Sequence, residues 1–300
     1  MASASCSDIK ARTHGLKNLF HSAVQQPPIN GNICRMCLII FAYQADSRYS
    51  LVVAANRDEF FSRPTRDADF WTDNDAHHPV LAGKDLVAGG TWLGLTTSGR
   101  FAAVTNIRDP SQAEQKPISR GELTLNFLAG AETPAAYCQS LSSHFNQYAG
   151  YNLLIGDGNE MFYVNNLEAK LRQLEPGIYG LSNGQLNSPW PKIEHGRQQL
   201  KLLLDCDAEL ATDQLISMMG NRTRAKDADL PDTGIPIELE RRLSSAFIQN
   251  PERQYGTRCS TAIILGSHEQ KENMCRFSEQ NYDESGHRTS AHFYQFELTH

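Results

Sequence analysis

Cys37, Arg57 and Asp58 are the residues of this 300-residue chain whose types and spacing point to chemistry. A cysteine attacks as its thiolate; the free thiol has a pKa of about 8.5, and a neighbouring cation lowers it. Arg57 beside Cys37 would raise the thiolate fraction at neutral pH. Cys37 directly follows Met36. A chain that begins at Cys37 carries a free α-amine of pKa roughly 8, able to take the proton of its own thiol. One residue then supplies nucleophile and base together. Asp58 would orient that amine by a hydrogen bond, and side-chain amides at other strand ends, Asn106 and Asn183, are candidates to donate to a developing oxyanion.

These groups meet only if the chain between them turns back. CLIIFAY (37–43) and SLVVAAN (50–56) are two apolar, β-branched runs around the polar stretch QADSR, and they should pair antiparallel. A turn centred between Asp46 and Ser47 sets Cys37 opposite Asn56, beside Arg57, Asp58 and Glu59. Neither run alternates cleanly with polar residues, so the hairpin is covered on both faces. WLGLTT (92–97) turns at Ser98-Gly99 into FAAVTN (101–106), and YNLLIGD (151–157) turns at Gly158-Asn159 into EMFYVNN (160–166). Helical stretches run from Ser119 to about Leu141, broken near Gly130 to Pro134 and opened by a Ser119/Glu122 capping box, and from Pro191 to about Gly220, broken near Asp207. Strands CSTAIILG (259–266), MCRFSE (274–279) and AHFYQFEL (291–298) close the chain. Runs of strands with helices gathered between them define an α+β protein of antiparallel sheets packed on helices.

Composition limits the rest. Residues 1–35 carry four basic residues against one acidic and show no sustained period, which reads as a disordered leader. The leader is either an organelle transit peptide or the product of an upstream in-frame start, with Met36 as the true initiator. Residues 36–300 hold 24 basic against 33 acidic residues and form one domain. Such a charge gives no footprint for nucleic acid. No apolar run reaches eighteen residues, so no integral membrane segment is expected, and a cytoplasmic location is the reading. The seven cysteines are odd in number and scattered, unlike a disulfide framework.

The segments MCLIIFAY, AANRDEFFSRP, ADFW, AGGTWLGLTTSGRFAAVTN, RGEL, YNLLIGD, YGLSNGQLNSPWPK and YGTRCSTAIIL resemble the NRDE family, named for Asn56-Arg57-Asp58-Glu59, which includes the transport and Golgi organisation proteins of eukaryotes. That family is similar to cysteine-type N-terminal nucleophile hydrolases of the choloylglycine hydrolase and penicillin acylase group. The resemblance implies a four-layer αββα sandwich and cleavage of non-peptide linear amide bonds, with Cys37 the nucleophile once residues 1–36 are removed. It implies Arg57 and Asp58 as the activating pair, Asn183 as an oxyanion group, Arg258 as a second cation and Asn106 as a further amide. Adjacent Arg57-Asp58 differs from the Arg-x-x-Asp spacing of those enzymes, and Asn56 and Glu59 have no clear counterpart there. The partner would be a small-molecule amide. The alternative is a non-catalytic carrier or trafficking factor holding a hydrophobic ligand, an acyl conjugate or haem, in the same pocket.

Plainer readings stand beside these. Cys37 could be a small buried hydrophobe, and Arg57, Asp58, Glu59 and Arg63 an ion-pair group closing the hairpin. Asn183 before Gly184 suits a turn, and GGTWLG (89–94) suits a bulge or turn as well as a ligand loop. Cys34 and Cys37 have CxxC spacing without the strand and helix a redox motif needs. Neither His77-His78 nor His287 with His292 makes a metal set, and no phosphate loop or dinucleotide fingerprint is present. No metal and no cofactor are called for.

Overall fold

The computed structural model describes residues 36–72, 76–109, 116–267 and 273–299. The leader, and Cys34 with it, lies outside the described residues. The chain opens with β1 (Met36–Asp46) and β2 (Tyr49–Phe60), followed by β3 (Thr65–Phe70), β4 (Val80–Asp85), β5 (Leu93–Thr96) and β6 (Phe101–Asn106). Helices α1 (Arg120–Ala129) and α2 (Pro134–Leu141) lead to β7 (Tyr151–Gly156), β8 (Met161–Asn165), β9 (Lys170–Gln173) and β10 (Gly177–Leu181). Then come α3 (Pro191–Leu204), α4 (Thr212–Met219), α5 (Ile237–Arg242), β11 (Gln249–Asn250), β12 (Tyr255–Gly266), β13 (Met274–Tyr282) and β14 (Arg288–Glu297).

Local chemistry sets several of these limits. The Ser119 hydroxyl accepts from the Gly121 N–H and caps α1, with Glu122 in its first turn. Pro134 opens α2, where its missing N–H is no loss, and the Thr133 hydroxyl caps the Ala136 N–H. β3, β4, β9, β10 and α5 have no counterpart in the sequence reading. β9 is exposed throughout, so it carries no apolar period to detect.

The strands sort into two antiparallel sheets. The first runs β10-β1-β2-β12-β13-β14, with β11 added on β12; the second runs β3 to β9 in chain order. Alternation along the strands builds the layers. Ile39, Phe41 and Tyr43 of β1 face Leu81, Leu95, Phe101 and Leu154 of the second sheet. Leu38, Ile40 and Ala42 face Ile193 and Leu200 of α3 and Leu215 of α4. On the far side, Ala102, Val104 and Ile155 pack under Leu123 and Phe127 of α1 and Leu141 of α2. The result is an α+β protein, a four-layer αββα sandwich. β1 and β2 read as unbroken apolar runs because both of their faces are buried, and each fully buried Ile or Phe there contributes on the order of 1.5–3 kcal/mol. Helix α3 rides close on β1 because residue 196 is glycine: a Cβ there would fall 2.7 Å from the Ile40 side chain.

The hairpin departs from expectation by one residue. The Asp46 carboxylate accepts from the Arg48 N–H at 2.8 Å, which closes the turn at Ser47-Arg48. An irregularity follows between Tyr43 and Asp46, where Gln44 takes φ +44°. Cys37 therefore stands opposite Arg57, not Asn56, and Asn56 stands opposite Leu38. A slip of one residue exchanges faces, and that decides which side chains share the site.

Candidate functional site

Cys37, Arg57 and Cys259 form one row across three strands, Arg57 pairing with Cys37 on β1 and with Cys259 on β12. By alternation from Ile39 and Ala55, Cys37, Arg57 and Glu59 belong to the face turned toward the second sheet. Arg57 lies 3.7 Å from the Glu59 carboxylate, Glu59 lies 3.7 Å from Arg63, and Arg63 pairs with Asp85 at 2.7 Å. The Asp58 backbone amide favours the Cys37 thiolate. Cys37 keeps a partial opening to solvent as a residue. Its thiol is nonetheless pushed up to about 12, first by burial and then by Asp58, while Arg57 pulls the other way. The expected gain in thiolate from Arg57 is thus outweighed, because desolvation penalises the charged form more than one flanking cation favours it.

Asp58 belongs to the other face. It pairs with Met36 on β1 and Thr257 on β12, so its side chain shares a face with that of Met36, the residue just ahead of Cys37. The Thr257 hydroxyl donates to Oδ1 at 2.6 Å. Oδ2 is buried and has no hydrogen-bond partner among the described residues. Burial raises the Asp58 carboxyl to about 7, against the pull of Lys192, Thr257 and Arg57.

Lys192 and Arg108 complete this buried group, and neither was among the sequence candidates. Lys192, 6% exposed, enters from the first turn of α3 and gives its ammonium to the Leu243 carbonyl at 3.0 Å. Burial and the Arg108 charge lower it to about 8. Its signal lay in the stripe Lys192, Gly196, Leu200, Leu204, a lysine placed where α3 is otherwise apolar or small. Arg108, just after β6, pairs with Glu240 of α5 at 2.5 Å and lies 5.0 Å over the Trp190 ring. Met36 is held at both ends: its N–H donates to the Tyr255 hydroxyl at 2.9 Å, and its sulfur accepts from Arg108 at 3.0 Å.

The amides lie on the other flank of β1. The Asn183 side chain donates to the Asn106 carbonyl at 2.8 Å, and the neighbouring Ser182 hydroxyl donates to the Cys37 carbonyl at 2.8 Å. Asn106, Asn183 and Cys37 are thereby gathered at one end of the sandwich. Asn56 is a core tie instead, fully buried on the helix face, donating to the Met219 and Ala246 carbonyls and accepting from Ser260. Arg258 is the extra residue where the β2–β12 register shifts. Its guanidinium donates to the carbonyls of Phe60 and Arg63 and to the Thr65 hydroxyl, bracing the turn after β2. Gly90 and Gly94 of GGTWLG serve packing, since a Cβ on Gly90 would meet the Gly121 backbone at 2.5 Å and one on Gly94 the Ala82 side chain at 2.7 Å, whereas Gly89 takes φ +77°. Among the described residues no group of three or more His, Cys, Asp or Glu is arranged to hold a metal ion, and no helix is long and apolar enough to cross a membrane.

Fold and site together define a class: an αββα sandwich with a cysteine at the head of an inner strand and a buried acid, lysine and arginine beneath it. The model of the family described as Transport and Golgi organisation 2 matches residues 36–284, and the chain belongs to that family. It is similar to the Transport and Golgi organization protein 2 homolog of Bos taurus, 34% identical over 77% of this chain and 88% of that one. It is likewise similar to the Mus musculus homolog, at 32% over 88% and 99%, and to Transport and Golgi organization protein 2 of Drosophila melanogaster, at 28% over 82% and 92%. Looser likenesses are found among solved structures. A Caenorhabditis elegans N-acylethanolamine-hydrolyzing acid amidase ortholog aligns at 9% identity and TM-score 0.42, covering 76% of this chain and 92% of that one. A C2A mutant of the conjugated bile acid hydrolase from Clostridium perfringens aligns at 10% and 0.39, covering 88% and 98%. Likenesses of this size assign no activity to the chain.

Proposed function

We propose that Cys37, once it heads the chain, is the nucleophile of a hydrolase for small linear amides. The observation that carries this reading is the Asp58 carboxylate: buried, on the residue paired with Met36 just ahead of Cys37, with Oδ2 unpartnered among the described residues. Turning the Cys37 peptide nitrogen into a free α-amine would offer that acceptor an N–H donor and leave a lone pair for the thiol proton. The amine takes the thiol proton, and the sulfur attacks the substrate carbonyl. As the tetrahedral intermediate collapses, the C–N bond breaks and the leaving amine takes that proton. Water then adds to the thioester, releasing the acid and restoring the thiol. Asn183 and Asn106 are the proposed oxyanion group, and Arg57 the flanking cation.

A second reading is favoured by the thiol itself. With Met36 in place Cys37 has no α-amine and is held protonated by burial; such a chain would carry a hydrophobic ligand and leave it intact. Intact mass and N-terminal sequencing of the protein from its own host separate the two. A chain beginning at Cys37 that hydrolyses members of an amide panel, with the activity abolished in Cys37→Ala, supports the hydrolase. A functional chain that retains Met36, with a rate unchanged in Cys37→Ala, overturns it.

A further inference from the structure

We propose that the space filled by the Met36 side chain is a binding pocket for a short, unbranched apolar group that ends in a carboxylate, with Arg108 as the residue that binds the carboxylate. The assignment rests on the reading that Cys37 comes to head the chain, since loss of Met36 is what empties the space.

The pocket already has its walls. Met36 is 1% exposed and packs against Leu239, Leu243, Ile248 and Tyr255. Its far end meets a guanidinium, not more hydrocarbon. Arg108, its side chain 5% exposed, uses one edge fully: Nη1 donates to the Glu240 carboxylate at 2.5 Å and to the Thr233 hydroxyl at 3.2 Å. The other edge is poorly served. Nη2 donates to the Met36 sulfur at 3.0 Å, and a thioether is a weak acceptor. Nε is buried with no partner among the described residues. Nε and Nη2 together form the side of a guanidinium that grips a carboxylate through two parallel hydrogen bonds. When Met36 leaves, that side loses even its sulfur and faces an apolar space.

Charge and length fit the same occupant. The buried cations Arg108 and Lys192 stand with the acids Glu240 and Asp58; Lys192 lies 5.9 Å from the centre of the Trp190 ring whose face Arg108 also covers. Asp58 borders the backbone end of the space and Arg108 the distal end, so an anionic head is directed away from Asp58 and onto the guanidinium. Cβ and Cγ of methionine are the spacer that brings an acceptor to Arg108. A substrate acyl or amine group of similar reach, carrying a terminal carboxylate, matches it.

The test needs no catalysis. The full chain with Met36→Gly is titrated with butanoate, butanol and butylamine, and binding is followed by calorimetry and by the rise in Tm. Butanoate should bind at least about tenfold tighter than butanol, as expected for charge-assisted bonds to a desolvated guanidinium. In Met36→Gly/Arg108→Met the ratio should fall below about two. Butanol or butylamine binding as tightly as butanoate overturns the proposal. Where Met36→Gly does not fold, Met36→Glu is compared with Met36→Gln in the full chain: Glu should give the higher Tm with Arg108 present and the lower with Arg108→Met. The opposite order overturns the pocket. An inert Cys37 with the butanoate preference intact would refute the hydrolase and spare the pocket, so the two failures are distinct.

Discussion

Arg57 stands directly across from Cys37 on the neighbouring strand, and its pull on the thiol loses to the burial they share. A thiol held near 12 has, at pH 7.5, a thiolate fraction on the order of a thousandth of a free cysteine's. In the chain that retains Met36, iodoacetamide should therefore label exposed Cys206 well before Cys37, as peptide mapping over a time course would record. Equal labelling rates would contradict the burial assigned to the site. A chain beginning at Cys37 should reverse the order, because its amine can accept the proton.

Asp58 gives stability a distinctive pH dependence. The folded chain keeps that proton to about pH 7, whereas an unfolded Asp releases it near 3.9. Between those values the unfolded state binds fewer protons, so this residue's contribution falls as pH rises from about 4 to 7. Asp58→Asn removes the effect. The variant should gain on the parent across that window by more than about 1 kcal/mol, read as the difference of two Tm-against-pH curves. A gap that narrows with rising pH would sink the assignment.

Asn56 should matter to the fold before it matters to any reaction. Asn56→Ala strands two buried carbonyls and the Ser260 hydroxyl, and the expected loss is about 2–4 kcal/mol. Urea unfolding with an unchanged slope and a lowered midpoint is the signature. A loss under about 1 kcal/mol would mean that water replaces those bonds easily.

The paired glycines at 89 and 90 can be told apart. Gly90→Ala drives a Cβ into the Gly121 backbone at 2.5 Å and should destabilise by about 1–3 kcal/mol through crowding. Gly89 has open space around it and φ +77°, so Gly89→Ala should lose only about 1 kcal/mol of backbone conformational energy. Thermal melts of the two variants settle the order, and a milder Gly90→Ala would show that α1 can yield.

Much of the sandwich could be read from residue types. The double burial of CLIIFAY and SLVVAAN, the Ser119 cap and the break before Pro134 each leave a local pattern. What escaped depends on contacts distant in sequence. The hairpin register is the local exception: it turned on the Asp46–Arg48 turn together with the irregularity between Tyr43 and Asp46, neither of which apolar periodicity records. Arg108 and Glu240 lie 132 positions apart, and neither sits in a motif that announces the other. Lys192 was legible in principle as a cation inside an apolar stripe. The wholly exposed β9 had no pattern to offer.

β1 is paired along both flanks, with β10 from Ile39 to Tyr43 and with β2 from Met36 onward, and the Cys37 carbonyl is pinned by Ser182. An edge strand would peel if the chain ahead of it were severed; an inner one stays moored. Cutting before Cys37 would remove residues 1–36 and leave the pairing of β1 from Cys37 onward in place. At the site itself the difference would lie in a single nitrogen, an amide turned amine, seen by N-terminal sequencing and by an electrophile.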